Sequence, residues 1–307
     1  MPHTKCVKTL SATGAIVAIL GGLLAAPGRA QQPAQKTFGT AELASQALFA
    51  AVKSGDIAAL LAVLGPAGQD IVASGDSAQD AHERAQFVHK YEEMHRIPTD
   101  SGGATVLYIG AENWPMPIPL VQANGAWRFD TEAGRREIVF RRIGRNELAA
   151  IRVCHALVDA EREYDASAHD GSGTRQYASR FVSDQGKKNG LFWHAAADQP
   201  SSPIGPLLAA AGAGSGDTPF HGYYYRLLTS QGRSAPGGAK SYVVGGKLTG
   251  GFAFVAYPAE YKSSGVMTFI VSGADVVYQQ DLGPDTATLA KALTAFDPDS
   301  TWQPAEP

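Results

Sequence analysis

From Asn146 to about Ala168, the apolar residues Leu148, Ile151, Cys154, Leu157 or Val158, and Tyr164 recur at the spacing of one helix face. Asn146 is a good N-cap type, and the pattern is the longest of its kind in the chain after its first thirty residues. A long helix that is charged on its other face must bury this stripe against a partner. The text beyond it supplies strands: runs over 220–229, 241–244, 251–257, 266–272 and 276–280, then an amphipathic segment over 284–296 and a polar tail. One long helix laid on an antiparallel sheet is the arrangement this pattern predicts.

Upstream the order is reversed. Thr40 caps a segment in which Leu43, Ala47 and Ala50 recur at helical spacing as far as Gly55. A second helix is predicted over 56–64, before Gly65-Pro66. A third spans 78–95 with Phe87, Tyr91 and Met94 on its apolar face, closed by Pro98 and Gly102-Gly103. Strand-like runs follow over 104–109, 116–122 and 126–130, the last two joined by Asn124-Gly125, a tight-hairpin signal. The fold class is therefore α+β in two parts, with an N-terminal domain over 31–140, a second over 141–297, and a tail over 298–307. The element order of the first part, ending in Trp127-Arg128-Phe129-Asp130, resembles the NTF2-like (cystatin-like) cone. The sheet text of the second, Gly222 to Leu228 and Gly265 to Val271, resembles the globular half of type IV pilins and pseudopilins. It departs from them in that its long helix is internal and follows no membrane-spanning half, so pilus assembly is not implied.

The first thirty residues read as an address. His3, Lys5 and Lys8 precede a charge-free stretch over 12–26, and Gly28 and Ala30 provide small residues for cleavage before Gln31. The apolar run is shorter than the ~20 residues a spanning helix requires, so a cleavable signal peptide is the expectation, with a periplasmic or secreted destination. Removing Lys5, Lys8 and Arg29 with it leaves 23 basic against 29 acidic residues in 277, a net charge of −6. Bulk attraction to nucleic acid or anionic lipid is excluded, and no membrane span is expected after cleavage. Only Cys154 remains, in the apolar run Ala149 to Cys154, so no intrachain disulfide can form and a buried structural thiol is expected.

Motifs of catalysis are missing from the sequence. His82, Gln86, His89 and Glu93 make one stripe of the third helix, but the i, i+7 spacing of the two histidines suits a single ion poorly, so a solvated face is the better reading and no metal or other cofactor is expected. Gly212-Ala213-Gly214-Ser215-Gly216 has its glycines one place away from a nucleophile elbow and reads as a loop. No catalytic residue is assigned.

Binding candidates are a different matter. Arg135, Arg136, Arg141, Arg142 and Arg145 form the densest local charge. Arg142 and Arg145 are candidate grips for an oxyanion or an acidic partner; the structural reading pairs Glu132 with Arg136 and Glu137 with Arg141 at i, i+4 and leaves the rest to hold the domain junction. His221, Tyr223 and Tyr225 are candidates for a stacking surface, although strand alternation puts Tyr224 on the opposite face and assigns one side to the core. The mouth of an NTF2-like cone would be lined by His95, Trp114, Arg128 and Asp130, and His95 with Asp130 would form an acid–base pair if the two met.

Four segments carry a family resemblance: Arg141-Arg142-Ile143-Gly144-Arg145-Asn146-Glu147-Leu148; Phe181-Val182-Ser183-Asp184 with Lys187-Lys188-Asn189-Gly190-Leu191; His221-Gly222-Tyr223-Tyr224-Tyr225-Arg226; and Gly251-Phe252-Ala253-Phe254-Val255-Ala256-Tyr257-Pro258-Ala259. They resemble the exported bacterial proteins grouped as domain of unknown function 2950, over nearly the whole chain after the leader. The resemblance implies an envelope location and carries over no activity. The expected role is a non-catalytic binding or scaffold protein whose partner is another envelope protein or a small molecule; the alternative is a small-molecule-binding or hydrolytic role for the cavity of the first domain.

Overall fold

In the computed structural model, which describes residues 34–73, 77–98, 105–169, 173–195, 201–212 and 218–305, the local signals of the first part are realised closely. The leader, Gly102-Gly103 and the glycine stretch at 213–216 lie outside the described residues. Thr40 accepts the Leu43 N–H at its side chain and starts α1 (Ala41–Ser54), which stops at Gly55 in the left-handed region. Asp56 caps α2 (Ile57–Leu64) in the same way. A short α3 (Gln69–Val72) precedes α4 (Ser77–Glu93). Helix α4 ends two residues before the expected point, because Gly110 folds back and gives its N–H to the Lys90 and Met94 carbonyls. His95 thereby falls in β1 (His95–Arg96), which pairs with β2 (Tyr108–Ile109), itself paired with β3 (Trp114–Pro115).

Asn124 and Gly125, with φ of 53° and 76°, make the two-residue turn between β4 (Leu120–Ala123) and β5 (Ala126–Phe129). The buried faces of α1, α2, α4 and these strands meet in one core, around Leu48, Leu60, Tyr91, Leu107 and Phe129. Tyr91 spans it, stacked on Phe49 and sharing a 2.9 Å hydrogen bond with Ser45.

The long helix is longer than its periodicity indicates. Helix α5 (Thr131–Asp165) begins at Thr131, not Asn146, and runs unbroken through 140 and 141. Its N-cap is Asp130, whose carboxylate accepts the Ala133 N–H at 3.1 Å; Asn146 lies mid-helix and caps nothing. The first four turns lack a single apolar stripe because arginines and two glycines interrupt it. They are held by tertiary contacts instead: Thr131 donates its hydroxyl to the Leu64 carbonyl at 2.6 Å, and Gly134 lies so close to Ile118 that a Cβ there would sit 2.5 Å from its Cγ1.

Beyond α5 come α6 (Pro206–Gly212), which the sequence pattern does not mark, and β6 (Tyr223–Leu228). Two ribbons follow, β7 (Ser230–Gln231) with β8 (Lys240–Ser241) and β9 (Val243–Val244) with β10 (Lys247–Leu248). Then β11 (Ala253–Pro258), β12 (Met267–Ser272), β13 (Val277–Asp281), α7 (Thr286–Ala292) and β14 (Gln303–Pro304) complete the chain. The main sheet is antiparallel throughout, in the order β14-β13-β12-β11-β6. Helix α5 packs on β11, β12 and β13, while α7 packs on β11. β11 is buried at every position and therefore reads as a continuous apolar run. The Arg226 side chain reaches the Ala290 and Leu293 carbonyls at the end of α7, satisfying groups the helix leaves open. The architecture is α+β, and no helix among the described residues is long and apolar enough to cross a membrane.

Candidate functional site

Where α4 and the first turns of α5 pass over the N-terminal core they leave a cleft of about 1110 Å³. Its floor is apolar, formed by the edges of core residues such as Leu60, Val72, Ile109 and Ile118. Phe87, Arg84 and Lys90 stand on the α4 side; Ile138, Phe140, Arg141, Arg142 and Arg145 stand on the α5 side, and Trp114 of β3 also lines the cleft. Phe140 is 69% exposed and Trp114 40%, although both are large apolar side chains.

The charge of the lining runs against that of the chain. Five basic residues, Arg84, Lys90, Arg141, Arg142 and Arg145, face three acidic ones, Asp70, Asp80 and Glu83, in a protein of net charge −3. Most of the cations are already occupied. Lys90 pairs with Glu112, and Arg135, just outside, with Asp70 at 3.2 Å. Arg141 donates to Glu137 at 2.7 Å and to the Pro115 carbonyl at 2.6 Å, with its guanidinium over the Trp114 ring. Among the described residues, neither Arg84, which is half-buried, nor the exposed Arg145 has an acidic partner.

The α5 wall is fixed from behind by the second half of the molecule. Arg142 donates to the Ser263 carbonyl at 3.0 Å, Asn146 to the Ser264 carbonyl at 2.8 Å, and Glu147 accepts the N–H groups of Val266 and Met267. Gly222, at φ 75°, completes the contact, because a Cβ there would lie 2.5 Å from the Asn146 amide. One helical segment thus serves as cleft wall on one side and as anchor for the turn between β11 and β12 on the other.

Of the residues singled out from sequence, Trp114, Arg142 and Arg145 come together on this cleft. His95, Arg128 and Asp130 do not line it. The His95 ring stacks on Tyr91 at 4.0 Å and bonds the Tyr91 carbonyl through Nδ1, while Asp130 accepts the Ala133 N–H as the α5 cap, so the condition for an acid–base pair, that the two meet, is not fulfilled by these contacts. Arg128 lies on β5 and donates to the Phe129 carbonyl at 3.4 Å. Arg84, Lys90 and Phe140 also line the cleft without having been singled out, and so does Phe87, which the pattern marks only as part of a helix's apolar face. The signal that would have found Phe140 is Asp130 itself, an N-cap type followed by Glu132, which extends the helix back under the Ile138-Val139-Phe140 run.

The tyrosine surface is corrected. Tyr223 and Tyr225 are 0% and 2% exposed and point into the core against α5, their hydroxyls donated to the Met267 and Phe220 carbonyls. Burial raises both phenol pKa values. Tyr224 takes the other face, against Tyr257, and His221 is exposed beside Phe220. Alternation separates the two faces of a strand, but which one is covered is decided by α5, far away in sequence.

Two further polar features lie on the second half of α5. His155 Nδ1 is 2.7 Å from Asp275, a pair that ties the helix to the turn after β12. Glu161 is fully buried; one oxygen accepts the Ala178 N–H at 2.7 Å, the other has no partner among the described residues, and burial holds its pKa well above the ordinary value. Among the described residues, no group of three His, Cys, Asp or Glu side chains is placed to hold a metal ion.

Residues 35–305 match the family described as Protein of unknown function (DUF2950). No curated protein and no solved structure matches.

Proposed function

We propose, from the premise that the chain belongs to the DUF2950 family and that membership brings no activity with it, that this is an exported, non-catalytic binding protein of the cell envelope, with its ligand in the cleft between α4 and α5. The observation that carries the reading is the cleft itself: about 1110 Å³ bounded by exposed aromatic side chains and guanidinium groups, the mix of apolar surface with a few polar anchors usual for ligand sites. The leader over 1–30 supports delivery to the periplasm or beyond. Helices packed on the β4–β5 hairpin support an NTF2-like first part, and α5 on a five-stranded antiparallel sheet supports a pseudopilin-like second part; both are likenesses of arrangement and carry no chemistry. Binding is favoured over hydrolysis because His95 and Asp130 are engaged elsewhere.

Native mass spectrometry of the chain purified from the periplasm of its own host tests this. A reproducible excess of small-molecule size over the denatured mass, lost on substitution of Phe140 by Ser, is the expected result. A bare chain that also takes up nothing from a periplasmic extract overturns it.

A further inference from the structure

The ligand class follows from two features of the cleft, on the reading that the cleft is the binding site. The first is its unpaired cations. Arg84 and Arg145 stand on the two helical walls, and among the described residues neither has an acidic partner, whereas Arg141, Arg142 and Lys90 are all engaged. A half-buried guanidinium beside apolar surface gains most from an oxyanion that can accept its fork of hydrogen bonds. The second is the exposed apolar surface of Phe140 and Trp114, next to half-buried Phe87. The ligand that satisfies both has an apolar body and a compact anionic head.

The charge count limits the head. Counting the lining together with the partners Glu112, Glu137 and Arg135 that already pair with it, six basic residues face five acidic ones, an excess of one positive charge, enough for a single anionic group and not for a polyphosphate or a nucleic acid. We propose that the cleft binds a long-chain carboxylate, its acyl chain lying against Phe140, Phe87 and Trp114 and its carboxylate received at the Arg84–Arg145 rim.

The test is calorimetric titration of the full chain from its host, stripped of copurified small molecules, with dodecanoate and with dodecan-1-ol, both kept monomeric. Dodecanoate should bind at least about tenfold more tightly than the alcohol, an advantage that shrinks with added salt, since partly exposed charge pairs are screened. In the Arg84→Gln/Arg145→Gln variant the carboxylate should fall to the affinity of the alcohol, with alcohol binding unchanged. Phe140→Ser should weaken both. Equal affinity for the two probes, or an unchanged preference in the double variant, overturns the carboxylate assignment and leaves the cleft as the site. Binding of neither probe overturns the carboxylate assignment too, and uptake of some other compound from periplasmic extract would then keep the cleft reading alive. An unchanged melting temperature in the arginine variant excludes loss of fold as the cause, as the lack of an ion pair to either arginine among the described residues leads one to expect.

Discussion

Glu147 accepts the Val266 backbone N–H at 2.8 Å, on the same carboxylate oxygen that takes the Met267 N–H at 3.0 Å. A mid-helix side chain thereby completes the start of a strand more than a hundred residues on. With Arg142 on Ser263 and Asn146 on Ser264, it joins the segment that walls the cleft to the turn feeding the central sheet. The resemblance segments that begin at Arg141 and at His221 have a physical meaning here, since Asn146 of one touches Gly222 of the other.

Glu147→Ala should destabilise the protein by about 2 kcal/mol, because two partly buried N–H groups lose a charged acceptor. Glu147→Gln keeps a carbonyl oxygen at the same place and should cost about half as much. Urea unfolding of both variants measures this, and an Ala variant within about 0.5 kcal/mol of the parent would show the clamp to be energetically idle.

Glu161 predicts a pH dependence. Its pKa in the folded protein is raised above the ordinary 4.5, first by burial and also by Asp165 nearby, against the lowering effect of the Ala178 N–H. The folded state therefore holds this proton when the unfolded chain has lost it. The stability it contributes is full below about pH 4.5 and is lost as pH rises through the folded value. Glu161→Gln, which has no proton to lose, should flatten the decline in unfolding free energy as pH rises above about 4.5. Asp184, held below its ordinary 3.8 chiefly by the Asn189 amide, titrates under that window, and the histidines are common to both proteins. Equal slopes for parent and variant would contradict the assignment.

Cys154 is 0% exposed, and burial pushes its thiol pKa up to about 12. Thiolate is the reactive form, so iodoacetamide at about pH 8 should leave Cys154 unlabelled in the native protein lacking residues 1–30, and with them Cys6, and label it fully in denaturant. Cys154→Ser should cost about 1–3 kcal/mol, since a hydroxyl would replace a weakly polar thiol among apolar neighbours. Rapid labelling of the native chain would place the thiol outside the core.

What could be read from the sequence was what neighbouring residues decide. Thr40 as a cap, a second helix ending at Leu64 before Gly65-Pro66, the Asn124-Gly125 turn and the apolar run of β11 are local statements, and each is realised. The first turns of α5 were not legible, because Gly134 and Gly144 break the periodicity and what compensates is contact with Leu64 and Ile118 on other elements. The cleft was illegible for the same reason. Trp114, Arg142 and Arg145 stand out as residue types, but Arg84 and Phe140 become part of a site only when α4 and α5 converge. Tyr223 and Tyr225 show the limit from the other side: their shared face was readable, its burial under α5 was not.

The two glycines of α5 should respond to alanine with opposite signs. Gly→Ala inside a helix ordinarily stabilises by about 1 kcal/mol, by restricting the unfolded chain and improving helix propensity. At Gly144 a Cβ would meet nothing within 4 Å, so Gly144→Ala should gain about 0.5–1 kcal/mol. At Gly134 it would lie 2.5 Å from Ile118 Cγ1, 2.9 Å from its Cβ and 3.0 Å from its Cα, which no rotamer change can relieve because backbone is involved. The helix must then move off the Ile118 segment that precedes β4, straining the Thr131–Leu64 hydrogen bond, so Gly134→Ala should lose about 1–3 kcal/mol despite its better propensity. Thermal unfolding of the two single variants side by side decides the matter: stabilisation at both positions would mean that α5 does not rest on Ile118, and the cleft wall built on that contact would have to be placed elsewhere.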